Sequence, residues 1–318
     1  MKTPSFWKNK TLLSTALLPA GWIYAGLTAL RLKLKKPYHT AIPVICVGNL
    51  TAGGSGKTPT AVSLAKILKH SGKNPFFVSR GYGGRLQNVI VDSERHTAAD
   101  TGDEPLLLSR EAPVALNADR GKAAVLALQN GADVIIMDDG FQNPTLHKDL
   151  SFLIIDGGFG FGNGRPVPAG PLRENLDKGL ARADAAVIIG DDQCGVRSLL
   201  GDLPVFEGRI CPEPVPDSQN IKAIAFAGIG RPGKFYASLK ECGVNIIATH
   251  DFPDHHFYTK DELQKLMNEA QEKSAVLYTT AKDFVKIPAA LRPHFRVLEI
   301  SIKWKDEAAL ADFVLSRI

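Results

Sequence analysis

Gly53, Gly54, Gly56, Lys57 and Thr58 stand together in the run Thr51-Ala-Gly-Gly-Ser-Gly-Lys-Thr58. Glycines let backbone N–H groups close on phosphate oxygens, a lysine carries a point charge to them, and a threonine hydroxyl ligates Mg²⁺. On that chemistry Thr51, Ala52, Gly53, Gly54, Ser55 and Gly56 form a phosphate cradle. Lys57 reaches the β- and γ-phosphates, and Thr58 holds the metal. The strict motif has glycine where Thr51 stands, so the later glycines must supply the permissive backbone. Further on, Asp133-Val-Ile-Ile-Met-Asp138-Asp139 ends an apolar run in two carboxylates. An aspartate delivered beside such a loop is the usual second Mg²⁺ element; the sequence does not decide between Asp138 and Asp139.

Those groups need a scaffold. Ile42 to Val47 is short, apolar and β-branched, and reads as a buried strand running into the loop, with a helical pattern through Ala61, Leu64, Ala65, Ile67 and Leu68 behind it. Further strands are expected at Phe76–Ser79, Pro113–Leu116, Phe152–Asp156, Ala185–Ile189 and Pro204–Glu207. They alternate with helices at Glu104–Arg110 and Arg120–Gln129. Alternation of this kind predicts an α/β fold of the P-loop NTPase type: a mostly parallel sheet flanked by helices. The prolines at 204, 212, 214 and 216 mark 203–220 as a connector. Beyond it, strands at Ile221–Ala227, Val244–Ala248, Ala275–Tyr278 and Val297–Ile302 predict a smaller α/β domain over 221–318. The phosphate-binding domain then spans 37–202, and a cleft between the two is the expected place for two substrates to meet.

The chain has 318 residues, 44% hydrophobic and 22% charged, with four scattered cysteines and no CxxC pair. Wholesale disorder, collagen-like repeats and a zinc ribbon are thereby excluded. The charge is one-sided: thirteen basic residues precede the first acid, Asp92. Such an N-terminal third expects an anionic partner. Residues 11–30 carry no charge, nominally about 30 Å of helix, between Lys8/Lys10 and the cluster Arg31 to Lys36. A signal peptide would want small residues before a cleavage site rather than that cluster. A span would leave one basic cluster outside. An anchor over 1–36 lying in the interface satisfies both flanks, with Trp7, Trp22 and Tyr24 at headgroup depth and the lysines on anionic lipid. No aromatic-interleaved basic surface marks a nucleic-acid partner, and nothing implies an obligate protein partner.

Seven segments follow in order: Val47–Thr58, Ser79-Arg-Gly-Tyr-Gly83, Gly102-Asp-Glu-Pro105, Asp138-Asp-Gly-Phe-Gln142, Pro168-Ala-Gly-Pro-Leu-Arg-Glu174, Phe252-Pro-Asp-His255 and Thr279-Thr-Ala-Lys-Asp283. Together they resemble the tetraacyldisaccharide 4′-kinase family, the lipid A kinases of Gram-negative bacteria. The resemblance implies transfer of the ATP γ-phosphate, with Mg²⁺, to the 4′-hydroxyl of an acylated glucosamine disaccharide 1-phosphate. It also implies peripheral or monotopic attachment to the inner membrane, with the catalytic part on the cytoplasmic side. Asp103 becomes the general base, in place of a routine helix cap. His255 becomes its partner across the cleft. Glu174 is expected near Mg²⁺ or the ATP ribose, and Gln142 at either substrate. Arg80, Arg120, Arg165 and Arg173 could each grip phosphate bidentately, with Arg80 and Arg173 favoured by the motifs. Lys282 and Asp283 match without a derivable role. Asn143 stands where the family usually has histidine.

Two other classes compete. A membrane-bound ATPase switch would want a lysine where Ala52 stands. A nucleotide-sensing scaffold would bind ATP without phosphorylating lipid.

Overall fold

The computed structural model describes residues 4–230, 232–254 and 256–318. Thirteen strands form among them: β1 (Val44–Gly48), β2 (Pro75–Ser79), β3 (Val89–Ile90), β4 (Val114–Leu116), β5 (Val134–Asp138), β6 (Leu150–Asp156), β7 (Ala185–Ile189), β8 (Val205–Pro212), β9 (Lys222–Ala227), β10 (Asn245–Asp251), β11 (Val276–Thr280), β12 (Phe295–Leu298) and β13 (Ile300–Trp304). Nine make one sheet in the order β13-β8-β7-β6-β1-β5-β2-β4-β3, and four make a second in the order β10-β9-β11-β12. The large sheet is parallel except at its edges, where β3 and β13 run antiparallel to their neighbours. The small sheet is parallel throughout.

The central strands are apolar on both faces, as a parallel sheet covered on both sides requires. Ile45, Val47, Phe77 and Ile136 pack with Leu64, Leu68, Leu310 and Val314 on one face. Val44, Phe76, Val78 and Ile135 pack with Ala123, Ala124 and Ala127 on the other. The first face is that of the helix Lys57–His70, the second that of Arg120–Gln129. The small sheet repeats the arrangement, with Leu263 and Leu266 against Ile224 and Phe226, and Phe235 and Leu239 against Ala223 and Ala225.

Two expectations from the sequence are corrected. The segment 203–220 is not simply a connector, because Val205–Pro212 is a strand of the large sheet paired in parallel with β7. Pro204 precedes the strand and Pro212 is its last residue, so its interior keeps its backbone donors for both neighbours. The boundary at 221 fails too. The run read as one strand at 297–302 breaks at Glu299: β12 pairs with β11 in the small sheet, and β13 crosses to the large sheet to pair with β8. The helix Glu307–Leu315 then packs behind the phosphate-loop helix, and Trp304 donates its indole N–H to Ser63 Oγ at 2.8 Å. The chain thus leaves the large sheet after β8 and returns to it at β13.

At the N-terminus the uncharged run is divided into α1 (Leu12–Ala16) and α2 (Leu18–Leu34). Thr11 and Ser14 cap α1 reciprocally. Pro19, in the first turn of α2, has no N–H to continue the hydrogen bonding, so a new helix begins there. The pair is tied to the loop after β6. Asn163 Nδ2 donates to Phe6 O at 3.0 Å, and Arg165 Nη1 donates to Ser14 and Thr15 hydroxyls at 2.7 and 2.9 Å. Two calls change as a result. Trp7 is half-buried and donates to Pro168 O at 3.0 Å, so it braces the helix against the body instead of pointing outward. Arg165 braces the same helix instead of gripping phosphate.

Candidate functional site

Beta strand β1 delivers the phosphate loop at the middle of the sheet. Gly48 ends it, and a Cβ there would stand 2.5 Å from Phe141 Cβ. Asn49, fully buried, donates from Nδ2 to Ser55 Oγ at 2.9 Å and so cross-braces the loop. Gly56, at φ +91°, turns the chain into the helix Lys57–His70, a conformation costly for any other residue. Amides at the start of that helix point into the loop's concavity, with the helix dipole behind them. Thr51 explains the departure from the strict motif. It lies in an extended bridge to Leu172, flanked by Ala52 N to Pro171 O and Arg173 N to Leu50 O, both 2.7 Å. No left-handed backbone is needed there, so threonine is tolerated; it is needed at Gly53, φ +128°.

Register brings Asp138 beside Val47, at the mouth of the loop. Thr58 Oγ1 donates to Asp138 Oδ2 at 2.8 Å, while Asp138 Oδ1 is buried with no partner among the described residues. Burial, reinforced by the Glu104 carboxylate, pushes Asp138 up to about 7 against the pull of Thr58 and Lys57. A buried carboxylate so destabilised as an anion fits a cation, and oxygen donors of Thr58 and Asp138 type suit Mg²⁺.

Asp139 sits differently. At φ +51° it turns its carboxylate onto Lys57 at 3.6 Å and Arg173 at 2.8 Å. Burial alone would raise it, yet Lys57 and then Arg173 hold it below the usual carboxylate range. The two aspartates expected as one pair are therefore a partly orphaned acid and a doubly paired one.

Glu174 departs from its expected metal role. It is buried, and both its oxygens accept from Arg182 Nη2 at 2.8 and 2.7 Å. Gln142 Nε2 also donates to it at 2.9 Å and to Asn49 O at 2.8 Å. A carboxylate so satisfied positions Gln142 and the loop rather than facing a cation.

From the far side comes Asp103, the first residue of the helix Asp103–Ser109. Gly102, at φ +87°, holds the cap position, so the capping role weighed for Asp103 falls to its neighbour. Lys282 Nζ lies 3.9 Å from Asp103 Oδ2 and 3.7 Å from Asp254 Oδ1, joining the two sheets through one side chain. His255 lies outside the described residues. Arg80 is exposed and its guanidinium lies 5.1 Å from the centre of the Tyr82 ring. Arg120 is only 6% exposed, with a buried Nε that has no partner among the described residues. Burial and then Arg80 lower it to about 10, opposed by Asp139 and Asp138.

Residues 13–318 match the profile of the family described as Tetraacyldisaccharide-1-P 4′-kinase. A curated tetraacyldisaccharide 4′-kinase of Paramagnetospirillum magneticum is 48% identical over all of this chain and 99% of its own. One from Rhodospirillum centenum is 46% identical, covering 98% and 95%. The crystal structure of LpxK from Aquifex aeolicus in complex with ATP superposes with a TM-score of 0.79 at 30% identity, covering 96% of this chain and 99% of that one. The chain belongs to the tetraacyldisaccharide-1-P 4′-kinase family. It is an ATP-dependent kinase of lipid A biosynthesis.

In this member of the family the structure gathers Lys57, Thr58, Asp138, Asp139, Arg173 and Gln142 at one end of the sheet. Sequence reasoning missed Asn49 and Arg182. Asn49 could have been found, since a polar residue directly after a buried strand and inside a glycine loop must find a partner. Arg182 carries no such signal, because its partner Glu174 is brought to it only by the folded loop.

Proposed function

We propose that this chain transfers the ATP γ-phosphate to the 4′-hydroxyl of a tetraacylated glucosamine disaccharide 1-phosphate at the cytoplasmic face of the inner membrane. The observation that carries the reading is the Thr58–Asp138 hydrogen bond at the mouth of the phosphate loop, with Asp138 Oδ1 buried beside it and without a partner among the described residues. Residues 51–56 bind the phosphates through their amides. Lys57, held off by Asp139, swings its ammonium to the β- and γ-oxygens when ATP enters. Thr58 and Asp138 would hold Mg²⁺, which when bound supplies charge neutralisation at the transferred group. Asp103 takes the proton of the 4′-hydroxyl, with Lys282 fixing its carboxylate. His255 is assigned beside Asp103 on the motif alone. Arg80 and Arg120 face the substrate's existing phosphate, Arg120 with a donor already desolvated for it.

The lipid substrate explains the N-terminal helices. Leu12 is 92% exposed and Trp22 64%, and Ile23, Leu27, Leu30 and Leu34 are exposed with them. No helix among the described residues is long and apolar enough to cross a membrane. A large apolar face ending in Arg31, Lys33, Lys35 and Lys36 suits a helix lying in the headgroup region of an anionic leaflet. The test is γ-labelled ATP, Mg²⁺ and the disaccharide 1-phosphate in neutral detergent. Label is expected in the lipid and is expected to vanish with EDTA; ATP consumed with no labelled lipid would overturn the reading.

A further inference from the structure

A cavity of about 240 Å³ opens between the end of α2 and the segment after β5, lined by no residue of the phosphate loop. Leu32 and Lys35 line it from α2 and its end, and Phe141, Asn143, Lys148 and Arg182 from the body. Among the described residues, three cations and His147 line it and no carboxylate does. Two acids behind the lining are already engaged. Glu174 accepts from Arg182 and Gln142; Asp149 accepts from Val44 N at 2.8 Å and lies 3.7 Å from His147.

Lys148 is the unusual member. It is half-buried, yet among the described residues it meets two backbone carbonyls and no carboxylate, Asn143 O at 2.7 Å and Phe141 O at 3.5 Å. An ammonium has three protons to donate. Burial, and Arg182 nearby, hold it below the ordinary lysine range. Lys148, half-buried, with Lys35 and Arg182 exposed at the opening and no carboxylate among the described lining residues, makes a place for an anion. The opening lies at the basic end of α2, from which Leu27, Leu30 and Leu34 run back along one exposed side of the helix.

We propose that this cavity seats the phosphodiester of an anionic bilayer phospholipid, gripped by Lys35, Lys148 and Arg182, with its acyl chains along Leu27, Leu30 and Leu34. The proposal rests on the membrane reading above. It adds that one lipid is held at a defined place, beyond the attraction of a basic surface for a charged leaflet. The two differ in how they rank lysines. Diffuse attraction weighs Lys33, fully outside, at least as heavily as half-buried Lys148; each exposed lysine near the surface is worth about fivefold in affinity. A seated phosphate reverses that order.

The test measures binding of the full chain to vesicles of phosphatidylcholine with and without phosphatidylglycerol. Variants are Lys33→Gln, Lys35→Gln and Lys148→Met, with a thermal melt for each. Wild type is expected to prefer the phosphatidylglycerol vesicles. Lys148→Met and Lys35→Gln are each expected to lose at least about tenfold of that affinity, and Lys33→Gln no more than about fivefold. KM for the disaccharide in neutral detergent is expected to stay within about twofold. If Lys148→Met does not melt as wild type does, Lys35→Gln carries the comparison alone. Equal losses at 33 and 35 would overturn the seated lipid and leave the membrane reading standing. A raised KM for Lys35→Gln in neutral detergent would overturn it by giving the cavity to the substrate's own phosphate. No preference for phosphatidylglycerol in wild type would bring down the membrane reading itself.

Discussion

The phosphate cleft and the N-terminal helix both carry basic side chains, yet hold them in opposite ways. In the cleft, Lys57 and Arg173 share the Asp139 carboxylate. On the helix, Arg31, Lys33, Lys35 and Lys36 are exposed beside an apolar face. Paired and partly buried charges are fixed in direction and answer to a ligand that displaces the pairing. Exposed charges act as a field that salt can screen. On that difference chemistry is proposed for the cleft and attachment for the helix.

The comparison is broken most easily in the cleft. Asp138→Asn is expected to cost about three decades in kcat, on the scale of lost electrostatic stabilisation at a transferring group; steady-state turnover at saturating Mg²⁺ checks it. Asp103→Ala is expected to cost two decades or more in kcat while ATP affinity stays within a few fold, as loss of a general base should. Near wild-type turnover would remove Asp103 from the chemistry. Lys282→Met is expected to cost about tenfold in kcat, less than Asp103→Ala because it removes the brace and leaves the carboxylate.

The same site gives a stability prediction with a definite sign. Asp138 ionises near 3.8 in an unfolded chain and at about 7 in the metal-free fold. Between those values the folded state binds the extra proton, so the contribution of Asp138 to stability is full below about pH 4 and is lost as pH rises to 7. Metal-free Asp138→Asn is therefore expected to melt at least about 3 °C above wild type at pH 8 and together with it at pH 4, with Mg²⁺ closing the gap at pH 8. On the helix the effects are smaller and of another kind. Leu27→Glu is expected to lower vesicle binding several-fold and leave turnover in neutral detergent within about twofold.

Legibility in the sequence follows the same division. The central strands and the helix Arg120–Gln129 could be read because both faces of a parallel sheet are apolar and each run is local. Lys57, Thr58 and the aspartates could be read because the loop chemistry is contiguous. What failed was what depends on distant partners. The proline cluster around 204–216 hid the second half of β8: the strand expected at Pro204–Glu207 runs on to Pro212, held between β7 and β13. Glu299 gives no local sign that the chain changes sheets there; its carbonyl accepts from Glu213 N at 2.8 Å, and Arg110 pairs with its carboxylate. Glu174 looked like a metal ligand until Arg182 was seen to claim both oxygens. Trp7 looked like an interfacial anchor until Pro168 was seen to accept its N–H.

The most direct test of the division is Lys57→Ala, read for labelled lipid and for binding to phosphatidylglycerol vesicles in one preparation. The structure predicts that γ-label fails to reach the disaccharide while vesicle binding matches wild type. Retained transfer, or vesicle binding lost together with it, would contradict the assignment of chemistry to the cleft and attachment to the helix.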